Sequence, residues 1–119
     1  MQRFTELRVW QRGHELALQI YRRTADFPRQ EHFGMTSQMR RAAVSIPSNL
    51  AEGHARAGKN EFRHFVSVAM GSTAELETQI LLSAELGYLQ ESVKDNLLMQ
   101  LDTIGKMLRG LYKSLAIKD

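Results

Sequence analysis

The chain has 119 residues, of which 43% are hydrophobic and 24% charged, and its net charge is +3. This length suits one domain with its own core, so we predict a single domain over residues 1–119 and exclude global disorder. The absence of cysteine excludes disulfides and thiolate metal sites. No leader-like segment and no run of about 18 apolar residues occurs, so we expect a cytoplasmic protein with no membrane contact.

The first helix is predicted from Leu7 to Thr24, and a stop signal follows at residues 26–28. Three- and four-residue steps predict its buried face, with Leu16 and Ile20 beside it. That predicted stripe consists of Trp10, His14, Ala17, Tyr21 and Thr24. We therefore expect His14 to be a packed, hydrogen-bonded side chain.

The second helix is predicted from residue 34 or 35 to Arg56. Its apolar stripe continues on both sides of Pro47, which removes one backbone donor from the helix. The stripe consists of Met39, Ala43, Ile46, Leu50 and Gly53, with Ala42 beside it. This continuity favours a kinked helix over two separate helices, the alternative.

The third helix is predicted from an N-cap at Asn60 to Leu89, and the fourth from an N-cap at Ser92. The predicted inner face of the third helix is Phe62, Val66, Ala69, Thr73, Leu76, Ile80 and Ala84. The fourth has a heptad seam of Leu97, Leu101, Ile104, Leu108, Leu111 and Leu115. The seam also suits a two-stranded coiled coil, but short connections favour antiparallel neighbours. We therefore predict an all-α, up-down-up-down four-helix bundle.

The chain contains no convincing catalytic motif. Glu61 and His64 form one half of the paired Glu-x-x-His pattern of di-iron bundles, but the second half is missing. Neither a nucleophile elbow nor a phosphate-binding glycine loop is present. We predict no enzymatic activity, no metal and no cofactor.

Basic side chains concentrate at one end of the predicted bundle, where the first helix starts, the second meets the third, and the fourth ends. The candidate nucleic-acid-binding residues there are Arg56, Lys59, Arg63, His64, Lys106, Arg109 and Lys113. A phosphate backbone would suit this end. The alternative is that basic residues in the last turns, such as Lys113 and Lys118, complement the helix dipole.

The run SIPSNLAEG at residues 45–53 resembles a known family, as do QMRRAA at 38–43 and AMGSTAELE at 69–77. The chain resembles the four-helix-bundle proteins encoded in intervening sequences of 23S ribosomal RNA genes. Members of that family are similar to a pentameric accessory protein of diversity-generating retroelements. The resemblance implies a bundle fold, a ring-shaped homopentamer, and RNA, DNA or a polymerase as partners, with no known catalytic residues.

The family motif residues are Ser45, Pro47, Asn49, Glu52 and Gly53. We predict a mainly structural role for them, with direct ligand contact as the alternative. Ser48 or Asn49 can satisfy backbone groups at the Pro47 kink, and Glu52 can pair with Arg56 one turn later. Gly53 permits close approach of a neighbour, including another subunit.

Two functions remain open from the sequence. The first is an oligomeric, non-enzymatic protein that binds the backbone of RNA or DNA through the basic end, with steep salt dependence. The second is a protein-interaction scaffold with no role in nucleic-acid binding. Candidate apolar subunit contacts are Met70, Leu82, Met99 and Met107, which a wide core could equally bury.

Overall fold

The structure is a computed structural model, and it describes residues 3–116. Its elements in chain order are a 3-10 helix at Phe4–Glu6, α1 at Arg8–Thr24, a second 3-10 helix at Arg29–Glu31, α2 at Met35–Ala55, α3 at Lys59–Glu85 and α4 at Glu91–Ser114. No strand occurs between residues 3 and 116. The all-α prediction is therefore confirmed.

The four helices form a bundle in which each helix contacts two others. α1 packs on α2 and α4, and α3 packs on the same two helices. The connections are short, so consecutive helices run antiparallel, in an elongated molecule of 50 × 22 × 21 Å. We call the end that contains the start of α1, the α2–α3 turn and the end of α4 the basic end, and the other the opposite end.

The core follows the predicted stripes of α2 and α4 closely. All the stripe residues of α2 are buried, and only Leu111 of the α4 seam is half-exposed. On α3, Val66, Ala69, Leu76 and Ile80 are buried as predicted. The remaining residues of the predicted α3 face are half-buried: Phe62, Thr73 and Ala84.

The predicted buried face of α1 is wrong by about one position. Its buried residues are Val9, Gly13, Leu16, Ala17, Ile20 and Thr24. Tyr21 is 46% exposed, and His14 is exposed, stacked on Trp10 with ring centroids 4.8 Å apart. Gly13 explains the shift, because a Cβ atom there would lie 3.1 Å from Ile46 Cγ2. The missing side chain lets α2 approach this face of α1 closely.

The predicted helix starts and one predicted end also need correction. The N-cap of α3 is Gly58 rather than Asn60, and the N-cap of α4 is Gln90 rather than Ser92. Neither helix start is capped by a side-chain hydrogen bond. α3 ends at Glu85, four residues early, because Gly87 has a φ of 83°. Its neighbour Tyr88 donates a backbone hydrogen bond to the Ser83 carbonyl at 2.8 Å, as in a Schellman C-cap.

α2 passes through Pro47 as one unbroken helix, so a division into two helices is excluded. Asn49 bonds a backbone group close to Pro47 as predicted, although not the carbonyl that lost its helical donor. Its amide Nδ2 donates to the carbonyl of Ser45 at 2.7 Å, whereas the carbonyl that Pro47 leaves without its helical donor belongs to Ala43.

A buttress at the opposite end joins the two connections located there. Glu31 accepts hydrogen bonds from the Met35 backbone N–H at 3.0 Å and from the Tyr88 hydroxyl at 2.9 Å. Both bonds favour the ionised carboxylate, so they lower the pKa of Glu31 from its ordinary value. The hydrogen bond that the Tyr88 hydroxyl donates to Glu31 also raises the pKa of Tyr88. The side chain therefore fixes the start of α2 against the α3–α4 connection.

Candidate nucleic-acid interface

Arg63 joins the start of α3 to the end of α4. Its Nε donates to the backbone carbonyl of Tyr112 at 3.0 Å, and its guanidinium lies 3.6 Å from the centre of the Tyr112 ring. That carbonyl belongs to the last turn of α4, where backbone acceptors lack helical partners. Arg63 is thus half-buried and already engaged in capping a helix, so its main contribution at the basic end is structural.

Arg56 and His64 line a shallow depression of about 390 Å³ together with Asn60, Glu61 and Phe65. Arg56 forms the ion pair with Glu52 that the sequence suggested, at 3.2 Å, and lies 5.2 Å from the Phe65 ring centre. The ring of His64 lies steeply tilted to the same Phe65 ring, with centroids 5.6 Å apart. Two carboxylates, Glu52 and Glu61, therefore reduce the positive charge beside the α2–α3 turn.

Lys106 is also ion-paired, because its Nζ lies 3.1 Å from Asp102 Oδ2. The carboxylate of Asp102 therefore reduces the positive charge at this predicted site residue. Three predicted site residues keep exposed charges: Lys59 at the start of α3, and Arg109 and Lys113 in the last turns of α4. Within residues 3–116, none of the three has a carboxylate oxygen within 4.0 Å.

Most of the family motif supports the contact between α2 and α3. Ser45 and Ser72 join the two helices through their hydroxyls, 2.8 Å apart. Asn49 Nδ2 donates to the Ser45 hydroxyl at 2.8 Å, and the Ser72 hydroxyl donates to the Val68 carbonyl at 3.3 Å. This chain of hydrogen bonds satisfies polar groups where small side chains bring two helices together.

Gly53 is close to its own α3. A Cβ atom at this position would lie 2.7 Å from Phe65 Cβ and 2.9 Å from Phe62 Cδ1. The neighbour that requires glycine is therefore within the chain, and no second subunit is needed to explain it.

A groove lies between α1 and α2 that the sequence pattern did not predict. It has a volume of about 400 Å³ and is lined by Phe4, Trp10, His14, Ala17, Leu18, Tyr21, Val44, Pro47, Ser48 and Ala51. The stripe predicted to face the core supplies four of these residues. α1 carries more apolar side chains than one buried face requires, and that excess was the available signal.

No group of three or more His, Asp or Glu side chains that could hold a metal ion occurs within residues 3–116. Over the same range, no helix is long and apolar enough to cross a membrane. Lys118, which the sequence also placed at the basic end, lies outside the described residues.

Comparison with known proteins identifies the family. The model of the 23S rRNA-intervening sequence protein family matches residues 5–110. This chain belongs to that family. The fold is shared with a crystal structure of a protein of unknown function from the S23 ribosomal protein family of Bacteroides thetaiotaomicron. The two have a TM-score of 0.79 and 22% identity, over 88% of this chain and 98% of that one. No protein with a curated description matches the sequence.

Proposed function

We propose that this member of the 23S rRNA-intervening sequence protein family is a non-enzymatic protein that binds the backbone of RNA or DNA through its basic end. The supporting observation is the exposed set Lys59, Arg109 and Lys113 at the ends of α3 and α4, none of which has a carboxylate oxygen within 4.0 Å among residues 3–116. Flexible basic side chains on a helical surface suit phosphate contacts, which do not depend on base sequence. Arg56, His64 and Lys106 extend this surface, and Arg63 holds its two helices together.

The test is fluorescence anisotropy of a labelled structured RNA and a labelled DNA duplex across a salt series. The informative variant is Lys59→Glu/Arg109→Glu, because neither side chain supports the fold. Its matched control, Arg22→Glu/Arg23→Glu, changes the charge equally on exposed positions of α1 near the opposite end. We expect wild-type affinity to fall steeply with salt and the first variant to lose binding while the control retains much of it. Equal losses of duplex binding in both variants, or no duplex binding at low salt, would refute the proposal.

A second candidate, the protein-interaction scaffold, draws support from the α1–α2 groove. Leu18 is 40% exposed and Tyr21 46%, while Leu82 and Met99 on α3 and α4 are 47% and 68% exposed. The other two suggested contacts, Met70 and Met107, pack against the core instead. We propose that a second copy of the chain covers the groove with its α3–α4 surface. Such head-to-tail contacts generate rings, which suits the homopentamer and polymerase partner that the family resemblance implies.

Light scattering coupled to gel filtration tests the second candidate. The wild type should elute as a multiple of the 13.6 kDa chain. Leu18→Glu in the groove or Leu82→Glu on the other surface should each give monomers, because a buried unpaired carboxylate is costly. A monomeric wild type at high concentration would exclude this assembly. If the monomeric variants still bind nucleic acid, binding does not depend on assembly and the two candidate functions are separate.

A further inference from the structure

Phe33 lies at the opposite end of the bundle, in the connection between α1 and α2, and is 91% exposed. Its ring lies nearly perpendicular to the ring of His32, with centroids 4.7 Å apart, and His32 is itself exposed. A phenyl ring with this exposure adds almost nothing to the hydrophobic core. The stability of the bundle therefore does not explain an aromatic residue at this position.

Cationic side chains surround the ring. Two adjoining cavities of about 510 and 240 Å³ share His32, Phe33, Thr36 and Arg40. Arg29 lines the larger cavity and Arg41 the smaller. The acidic residues of this connection, Asp26 and Glu31, line neither cavity, and Glu31 is engaged with Met35 and Tyr88. The lining is therefore positively charged and suits an anion.

Arg40 is held in place before any ligand arrives. Its Nε donates to Thr24 Oγ1 at 2.9 Å, and its Nη2 donates to the Tyr21 carbonyl at 3.3 Å. The guanidinium also lies 4.7 Å from the centre of the Tyr21 ring. Thr24 is 2% exposed, and its hydroxyl donates to the Ile20 carbonyl at 2.7 Å. A guanidinium fixed in this way loses little conformational entropy when it binds an anion.

Within residues 3–116 none of these arginines forms an ion pair, although Arg41 also lines a separate cavity that contains Glu75 of α3. Between residues 3 and 116, no carboxylate oxygen lies within 4.0 Å of the guanidinium of Arg29, Arg40 or Arg41. The acidic side chains of the opposite end are mostly on α3 and α4, namely Glu75, Glu77, Glu85, Glu91 and Asp95. The charge of this end is therefore divided between two faces, and the α1–α2 face is the positive one.

We propose that this connection is a binding site for single-stranded nucleic acid, in which a base stacks on Phe33 and the adjacent phosphates contact Arg29, Arg40 and Arg41. An exposed aromatic face beside unpaired guanidinium groups is the combination that binds unpaired bases without sequence preference. A paired base in a duplex does not offer its face to a side chain. The proposal shares its ligand class with the proposed function and rests on it to that extent. Its residues are different and lie at the other end of the molecule.

The test compares a short labelled oligouridine with an abasic oligomer of the same length and charge, using the full-length chain. Phe33→Ala should weaken binding of oligouridine by about 5- to 150-fold, the usual range for loss of one stacked base. Phe33→Tyr should restore wild-type affinity, because the stacking face is kept. None of these changes should alter binding of the abasic oligomer, and all variants should melt as the wild type does because the ring is exposed.

Phe33→Leu decides between stacking and a hydrophobic contact. Leucine keeps an apolar side chain but has no π face, so it should bind oligouridine as weakly as Phe33→Ala. If Phe33→Leu binds as well as wild type, the contact is hydrophobic and the proposal is wrong; a protein or lipid surface would then be the better ligand. No binding of oligouridine by wild type, or an unchanged affinity in Phe33→Ala, would also overturn it.

The variant Lys59→Glu/Arg109→Glu separates this proposal from the proposed function. It should lose duplex binding and retain the part of oligouridine binding that depends on Phe33. Duplex binding through the basic end without any Phe33 effect would leave the proposed function standing and remove this site. A Phe33 effect without duplex binding would support this site and refute the proposed function of the basic end.

Discussion

Replacement of Gly53 by alanine measures how closely α2 and α3 pack. A Cβ atom there would lie 2.7 Å from Phe65 Cβ and 3.4 Å from Phe62 Cα. These atoms are at the roots of their side chains, so a rotamer change cannot relieve the overlap and the helices must separate. Overpacking of this kind costs about 1–3 kcal/mol. Alanine recovers up to about 1 kcal/mol of helix propensity, so we expect a net loss of about 1–2 kcal/mol.

The matched control is Gly71→Ala, in the middle of α3. No atom lies within 4 Å of a Cβ at that position, and the residue is exposed. Helix propensity alone should then raise the free energy of unfolding by about 0.5–1 kcal/mol. In thermal denaturation the two variants should move in opposite directions, by roughly 3–6 °C per kcal/mol for a chain of this size. A Gly53→Ala protein as stable as wild type would show that close packing does not require glycine.

Three further outcomes follow from the contacts of single side chains. Because folding lowers the pKa of Glu31, its contribution to stability is present above the ordinary carboxyl pKa of about 4.3 and is lost as pH falls through the lowered value. Glu31→Gln should therefore reduce the fall in Tm on acidification; an unchanged pH profile would contradict this. Gly87→Ala should cost about 1 kcal/mol in urea denaturation, since φ is 83° there, and no loss would mean that the turn relaxes. Arg63→Gln should cost about 1–2 kcal/mol through its bond to Tyr112, whereas exposed Lys59→Gln should stay within about 0.5 kcal/mol; equal effects would refute the capping role.

The sequence predicted the helices well wherever one apolar stripe stood alone. On α4, leucine and isoleucine recur at heptad spacing against a polar background, and Leu97, Leu101 and Leu108 are buried. On α1, two apolar stripes run side by side, and the larger aromatic residues favoured the wrong one. The correct stripe depends on Gly13, whose importance lies in the approach of Ile46 from another helix. Spacing within one helix cannot supply that information.

The candidate sites were harder to predict because formal charge does not show which side chains are already engaged. Arg63 and Lys59 look equivalent in the sequence, yet one caps α4 and the other is exposed. The prediction also considered basic side chains at one end only, whereas Arg29, Arg40 and Arg41 line the cavities beside Phe33 at the other end. A phenylalanine in a connection usually packs beneath the chain, as Phe27 does at 8% exposure, so only the structure distinguishes Phe33.

The length of the bundle sets the minimum length of any ligand that contacts both of its ends. The molecule is 50 Å long, which corresponds to about 15 base pairs at 3.4 Å each. If both proposed sites bind nucleic acid, a shorter ligand would occupy one end at a time, and a longer one with an unpaired overhang would occupy both. Once the first contact forms, the second end meets a tethered ligand at high effective concentration. Apparent affinity should then rise abruptly, rather than in proportion to ligand length, once the span is reached.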